Sequence, residues 1–425
     1  MRDGSTSELF ERLESNVRLY CRHFPEIFSS GRGSWLFTPD GRKFLDLLTG
    51  AGALNYGHNE PAIMRRLVDY ILGDGVIQSL DFYTTAKADF LDTFERVILK
   101  ERKLEYKVQF PNTTGANAVE AALKLARKVT GRHTVAAFTN GYHGMSLGAL
   151  ALSSNARARA AAGVPLGNVV FWPYESALGP EVDTIKAIEA ALCSLPMAER
   201  PAAAIIELVQ GDGGLDCVSG RWLQRLAELC RANGVLLIVD DIQAGCGRTG
   251  RFFSFEQMGV VPEMVLLSKS LSGFGTPFSL VLMRPDLDVW EPGEHTGTFR
   301  GNNLAFVGAK AALDIFWSDN CFESAIQTRA VAFGQTLAQL EAGAPDQLKK
   351  KGRGLITGLE FNRAELAAAA SQQLFGRNII AETCGVSGQT LKFLPPLNIE
   401  ISELNFALQE IRGVVEELCE RKEFA

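Results

Sequence analysis

The sequence predicts an α/β fold in which a mostly parallel sheet carries helices on both faces, and three observations lead there. Short apolar runs at 135–139, 169–172, 203–209, 235–239 and 264–268 alternate with polar or helical stretches. Strands buried on both faces read this way. Ala118, Val119, Ala122, Leu123, Ala126 and Val129 recur at helical spacing, with Gly131 where a C-terminal cap belongs. Finally, 425 residues exceed the size at which one hydrophobic core usually keeps growing, so a smaller companion domain is expected.

The runs and the helix fall within 61–310, which is expected to form the large domain. Segments 1–60 and 311–425 show glycine-punctuated short strands and longer helical stretches. They are expected to build one small α+β domain from both chain ends. The alanine run 367–370 reads as a helix surface or packing face.

Composition removes several functional classes. A net charge of -6, with acidic and basic residues interspersed, offers no basic stripe for nucleic acid. The apolar run 235–239 is far shorter than the roughly 20 residues of a membrane-spanning helix, and 1–16 lacks a signal-peptide core. A cytoplasmic location is the expectation. Eight cysteines and five histidines are scattered without CxxC or HExxH spacing, so neither a disulfide frame nor a metal site is expected.

In such sheets ligands bind beyond the carboxyl ends of the strands, and three features fall there. The run 235–239 leads straight into Asp240 and Asp241. Adjacent carboxylates beside an apolar strand are costly, so at least one is expected to face a cation; alternatively, both cap loop amides. The run 264–268 ends on Lys269, followed by Ser270, Ser272, Gly273 and Gly275. A lysine at such a site can be desolvated and made nucleophilic, the alternative being a solvated loop lysine. The spacing from Asp240 to Lys269 leaves room for one helical crossover between neighbouring strands. Thr113-Thr114-Gly115-Ala116 opens the helix, whose free amides suit an anion such as phosphate. An anion site, an acid and a lysine match a cofactor with a phosphate, a protonatable ring nitrogen and an aldehyde.

These residues, together with Asn55-Tyr-Gly-His58, Glu120-Ala-Ala-Leu-Lys-Leu-Ala-Arg127, Gly141-Tyr-His-Gly144, Asp240-Asp-Ile-Gln243 with Gly247-Arg-Thr-Gly250, Ser268-Lys269 and Gly297-Thr298, resemble the class III aminotransferases of the fold-type I pyridoxal-phosphate family. The resemblance spans nearly the whole chain. It implies pyridoxal 5'-phosphate as cofactor, with Lys269 bonded to its aldehyde and moving the proton, and Asp240 facing the ring nitrogen. It further implies that Ile242 and Tyr142 flank the ring, Gln243 meets its phenolic oxygen, and Gly115 and Ala116 hold the phosphate. Glu207 matches a buried strand-end glutamate near the site. Thr298 matches a threonine that reaches the phosphate of a neighbouring subunit, implying a homodimer or larger assembly with shared sites.

Segments around Asp81, Asn117 and His295 narrow the resemblance to members that pass the amino group of glutamate to aspartate 4-semialdehyde. Ornithine, acetylornithine or 4-aminobutyrate specificity, an aminomutase, and a silent ligand-binding relative are the alternatives. Small amino acids, oxo acids and semialdehydes are the implied substrates. Asp212 replaces the glutamate usual in the family, and Phe82-Tyr83 a smaller pair, so these are candidate substrate residues, Phe82 and Tyr83 shortening the pocket if they line it. Lys392 stands where many relatives hold a substrate carboxylate with arginine; the alternative is a lysine solvated at the surface.

Overall fold

The computed structural model describes residues 3–175 and 177–420. Its central sheet has seven strands: β1 (Lys107–Gln109), β2 (Val135–Phe138), β3 (Val169–Trp172), β4 (Ala203–Ile206), β5 (Leu236–Asp240), β6 (Met264–Leu267) and β7 (Leu280–Met283). They run in the order β1-β7-β6-β5-β4-β2-β3. All pairings from β3 to β6 are parallel, and β7 and β1 close the other edge antiparallel. The five apolar runs are thus the five parallel strands.

Strand periodicity divides the core in two. Val135, Ala137, Ala203, Ile205, Ile238, Met264 and Leu266 pack into one cluster with helix α1 (Gly115–Thr130). Their alternates Ala136, Phe138, Ala204, Ile206, Leu237, Val239, Val265 and Leu267 join a larger cluster on the opposite face. Successive side chains of a strand point to opposite faces, so both faces being covered is what made these runs continuously apolar. β3 departs from the expected burial: Val170 and Phe171 are exposed, because β3 is the sheet edge, with only β2 beside it. The Arg159 guanidinium lies over the Phe171 ring, 5.2 Å from its centroid, and partly covers that edge.

Helix α1 is specified at both ends. Thr114 and Asn117 form a reciprocal capping box, and Gly131 ends the helix at φ +68°. Its inward face is mostly alanine, which lets the helix axis approach the sheet closely.

The connection from β5 to β6, residues 241–263, holds no α-helix, contrary to the helical crossover expected. Gly247 (φ +93°) and Gly250 (φ +107°) take conformations that break a helix. A Cβ on Gly247 would lie 2.8 Å from the Trp317 ring. Phe252, Phe253 and Phe255 anchor the connection in the core instead. Within it, the fully buried Arg248 donates to the carbonyls of Leu355 and Pro395 and to Asn55 Oδ1.

Both chain ends contribute to one further sheet. Ser30–Arg32, Trp35–Phe37 and Lys43–Asp46 are antiparallel, and Ile379–Ile380 joins the last of them in parallel register, Ile379 opposite Leu45. A third, antiparallel sheet comprises Leu348–Arg353, Ile356–Phe361, Thr390–Phe393 and Glu382–Cys384. The alanine run lies in the helix Ala364–Gly376, where Ala367 and Ala370 are buried, so it is a packing face. Among the described residues no helix is long and apolar enough to cross a membrane.

Candidate active site

The carboxyl ends of β4, β5 and β6 and the N-terminus of α1 converge on a cavity of about 310 Å³. Gly115, Ala116, Tyr142, Glu207, Asp212, Asp240, Ile242, Gln243 and Lys269 border it, together with His143. Three of the sequence-predicted residues do not. Thr298 is exposed in the turn Thr298–Gly301, Phe82 is 68% exposed, and Lys392 is buried behind the wall. Tyr83 is exposed as well, so neither aromatic shortens the cavity of its own chain.

Asp240 opposes Leu266 in the β5–β6 register, and the chain reaches Lys269 three residues later. That pairing on neighbouring strands brings acid and lysine to one mouth. Asp240 Oδ2 lies 2.7 Å from His143 Nδ1, and its Oδ1 accepts from the Ile242 amide at 3.2 Å. Burial opposes a positive imidazole, but Asp240 and Glu207 outweigh it and raise His143 above its usual range. Asp241 took the other role: its Oδ2 accepts from the Ser254 amide at 2.9 Å, its Oδ1 has no partner, and burial pushes its carboxyl up to about 7.

Lys269 adopts φ +46°, a left-handed conformation costly for a side chain with a Cβ. Burial lowers its pKa, helped by the Lys392 charge, while Asp212 works in the opposite sense. Glu207 accepts from the amides of Tyr142 at 2.8 Å and Gly211 at 3.2 Å. Burial, with Asp240 nearby and against the pull of His143, raises the Glu207 carboxyl above the ordinary range.

Lys392 is 1% exposed, which excludes the surface reading. Its Nζ is enclosed by Gly211 O at 3.1 Å, Asp212 Oδ1 at 3.1 Å and Glu382 Oε1 at 2.8 Å. Burial disfavours that charge, but the two carboxylates overcome it and raise the pKa. His143 and Glu382 carried no expected role in the sequence. A signal existed for His143, inside Gly141-Tyr-His-Gly144; Glu382 sits in an ordinary strand and had none.

The cavity fits pyridoxal phosphate on its own chemistry. The first amides of α1 have no acceptor within the helix and meet the cavity, as a phosphate requires. Ile242 and Tyr142 offer an apolar and an aromatic wall, and Asp240 a carboxylate held by a buried donor. Gln243 Oε1 is buried with no partner, an atom a bound group would satisfy. Gln243 Nε2 donates to Ala51 O at 3.0 Å, so in this orientation the amide offers the cavity an acceptor.

Fold and site together define a pyridoxal-phosphate-dependent transaminase of fold type I, and the chain belongs to the class III aminotransferases, whose family model matches residues 21–415. It is 49% identical over 414 residues to the diaminobutyrate–2-oxoglutarate transaminase of Nocardia farcinica, covering 97% of this chain and 95% of that one. It is 50% identical over 411 residues to the enzyme of the same name from Bordetella parapertussis, covering 96% and 94%. Among solved structures, it resembles an ornithine aminotransferase of Toxoplasma gondii with partial occupancy of pyridoxal phosphate, at 27% identity and a TM-score of 0.85, covering 98% of this chain and 96% of that one.

Proposed function

We propose that this chain transfers the amino group of glutamate to aspartate 4-semialdehyde, giving L-2,4-diaminobutyrate and 2-oxoglutarate. The observation that carries this reading is the near full-length likeness to transaminases named for that substrate. The cavity supports it, with an amine, an acid–imidazole pair and a second charged cluster around one opening. Bound pyridoxal phosphate supplies an electron sink and a carrier for the amino group. Lys269 Nζ, whose pKa burial lowers, would act as the base that takes the proton from the amine-bearing carbon and as the acid that returns it on the other side of the nitrogen. Asp240, oriented by His143, faces the ring nitrogen; Gly115 and Ala116 hold the phosphate; Ile242 and Tyr142 confine the ring. Gln243 and Glu207 complete that wall. Lys392 stands behind Asp212, where its charge offsets the repulsion between that acid and a substrate carboxylate.

The same proposal includes a homodimer with shared sites in the cytoplasm, the large domain being 61–310 and the small one 1–60 with 311–425, of which 1–2 and 421–425 lie outside the described residues. Exposed Thr298 and Phe82 are proposed to reach a second subunit's site. Phe82 N donates to Ser79 O and Ser79 N to Gly301 O, so the two segments form one surface, and Leu80 and Phe299 are exposed on it.

Rates with glutamate as donor test the substrate. kcat/KM for aspartate 4-semialdehyde should exceed that for glutamate 5-semialdehyde by tens to hundreds of fold, since one misplaced methylene is worth about 1 to 3 kcal/mol. Equal values, or preference for the longer aldehyde, would assign an ornithine-type activity instead.

A further inference from the structure

Three acids border the cavity, and two of them are spent on the protein itself. Both oxygens of Glu207 accept from backbone amides, and both oxygens of Asp240 have partners, His143 and the Ile242 amide. Asp212 differs. Only its Oδ1 is engaged, by Lys392, and no donor among the described residues reaches Oδ2. Its side chain is 47% exposed and faces the opening.

The charge behind Asp212 is also unequal. Lys392 is shared between Asp212 and Glu382, so three buried or half-buried groups carry one positive and two negative charges. Glu382, 11% exposed, lies against Nζ and outside the cavity, so the unmatched negative charge is displayed at Asp212, on the cavity side. Confinement works against that charge, yet Lys392 and Lys269 together hold the Asp212 carboxyl below its usual range. A fixed, ionised carboxylate with a free oxygen is a receptor for an ammonium group.

Resting on the substrate reading above, we propose that Asp212 determines specificity for a diamino acid by receiving its second ammonium group at Oδ2. L-2,4-diaminobutyrate reacts at its terminal amine and carries an α-ammonium at the far end. 4-Aminobutyrate has the same chain, the same carboxylate and the same reacting amine, and lacks only that group. Glutamate reacts at its single amine and presents a carboxylate at the far end, where Lys392 behind Asp212 offsets the repulsion.

The experiment compares kcat/KM for L-2,4-diaminobutyrate and 4-aminobutyrate in the holoenzyme, for the wild type, Asp212→Asn and Asp212→Glu. In the wild type the diamino acid should be preferred about 10- to 100-fold, the worth of one hydrogen bond to a charged group. Asp212→Asn should bring the ratio close to one, because only the diamino substrate loses a partner, and Asp212→Glu should restore part of it. A ratio in Asp212→Asn within twofold of the wild type would overturn the proposal, including the case where both substrates fall equally. If the wild type prefers ornithine to diaminobutyrate, the substrate reading has failed, and ornithine against 5-aminopentanoate then decides the role of Asp212 by the same ratio. Absence of any preference for either diamino acid over its deamino partner would also overturn it.

Discussion

Lys269 is held in a conformation that few side chains adopt, at φ +46°. Strain of about 1 kcal/mol or more is stored there, and it aims the amine into the cavity from the strand end. Lys269→Ala and Lys269→Gly should both reduce turnover by three orders of magnitude or more, on the scale of lost acid–base and covalent catalysis. They should differ in stability: the glycine variant, free of the Cβ, should be more resistant to urea by about 1 kcal/mol in the cofactor-free protein. Equal stability of the two variants would show that the strain is absorbed elsewhere. Lys269 and Asp240 were legible in sequence because each ends a continuous apolar run. The side chains that meet Asp240 and Lys392 were not. His143 lies 97 residues before Asp240 and Glu382 ten before Lys392 on a separate strand, and no local periodicity encodes which side chain will meet which.

At the level of elements, the connection between β5 and β6 carries the clearest pH dependence. Burial raises the Asp241 carboxyl from 3.8 to about 7. The folded chain therefore keeps a proton that the unfolded chain releases, so this group's contribution to stability is full below pH 3.8 and declines as pH rises from about 4 to about 7. The difference converts to about 4 kcal/mol when complete. Asp241→Asn should remove this decline: its melting temperature relative to the wild type should be higher at pH 8 than at pH 4.5. A constant difference across that range would place the titration on another group. The sequence located this connection and its end points, since both flanking strands are continuous apolar runs. Its lack of helix escaped because the positive φ of Gly247 and Gly250 depends on the folded context, where the Trp317 ring, 70 residues away, leaves no room for a Cβ on Gly247. β3 misled for the opposite reason: an apolar edge strand and an apolar central strand look alike until strand order is known.

For the whole molecule, shared sites make a quantitative claim about mixtures. If Thr298 serves the Lys269 of a second subunit, mixing inactive Lys269→Ala and Thr298→Ala chains should restore up to half the sites in each mixed dimer. No recovery, despite demonstrated exchange of subunits, would confine each site to one chain. The sequence led us to expect that the two chain ends would come together, and Ile379–Ile380 does pair with Leu45–Asp46, but no local pattern encodes which strands meet across about 330 residues.

That pairing also governs how the chain can be born. Lys43–Asp46 completes its hydrogen bonding only when Ile379–Ile380 arrives beside it. At about 5 to 20 residues per second of synthesis, the intervening chain takes roughly 20 to 70 s to emerge, so the early hairpin waits on the ribosome with one open edge. An unpaired strand edge is a template for wrong partners, including the same segment of a neighbouring nascent chain on one messenger. The exposed lysine and arginine of Arg42-Lys43 at the start of that strand suit the waiting period, since charge discourages edge-to-edge stacking until the proper strand is made.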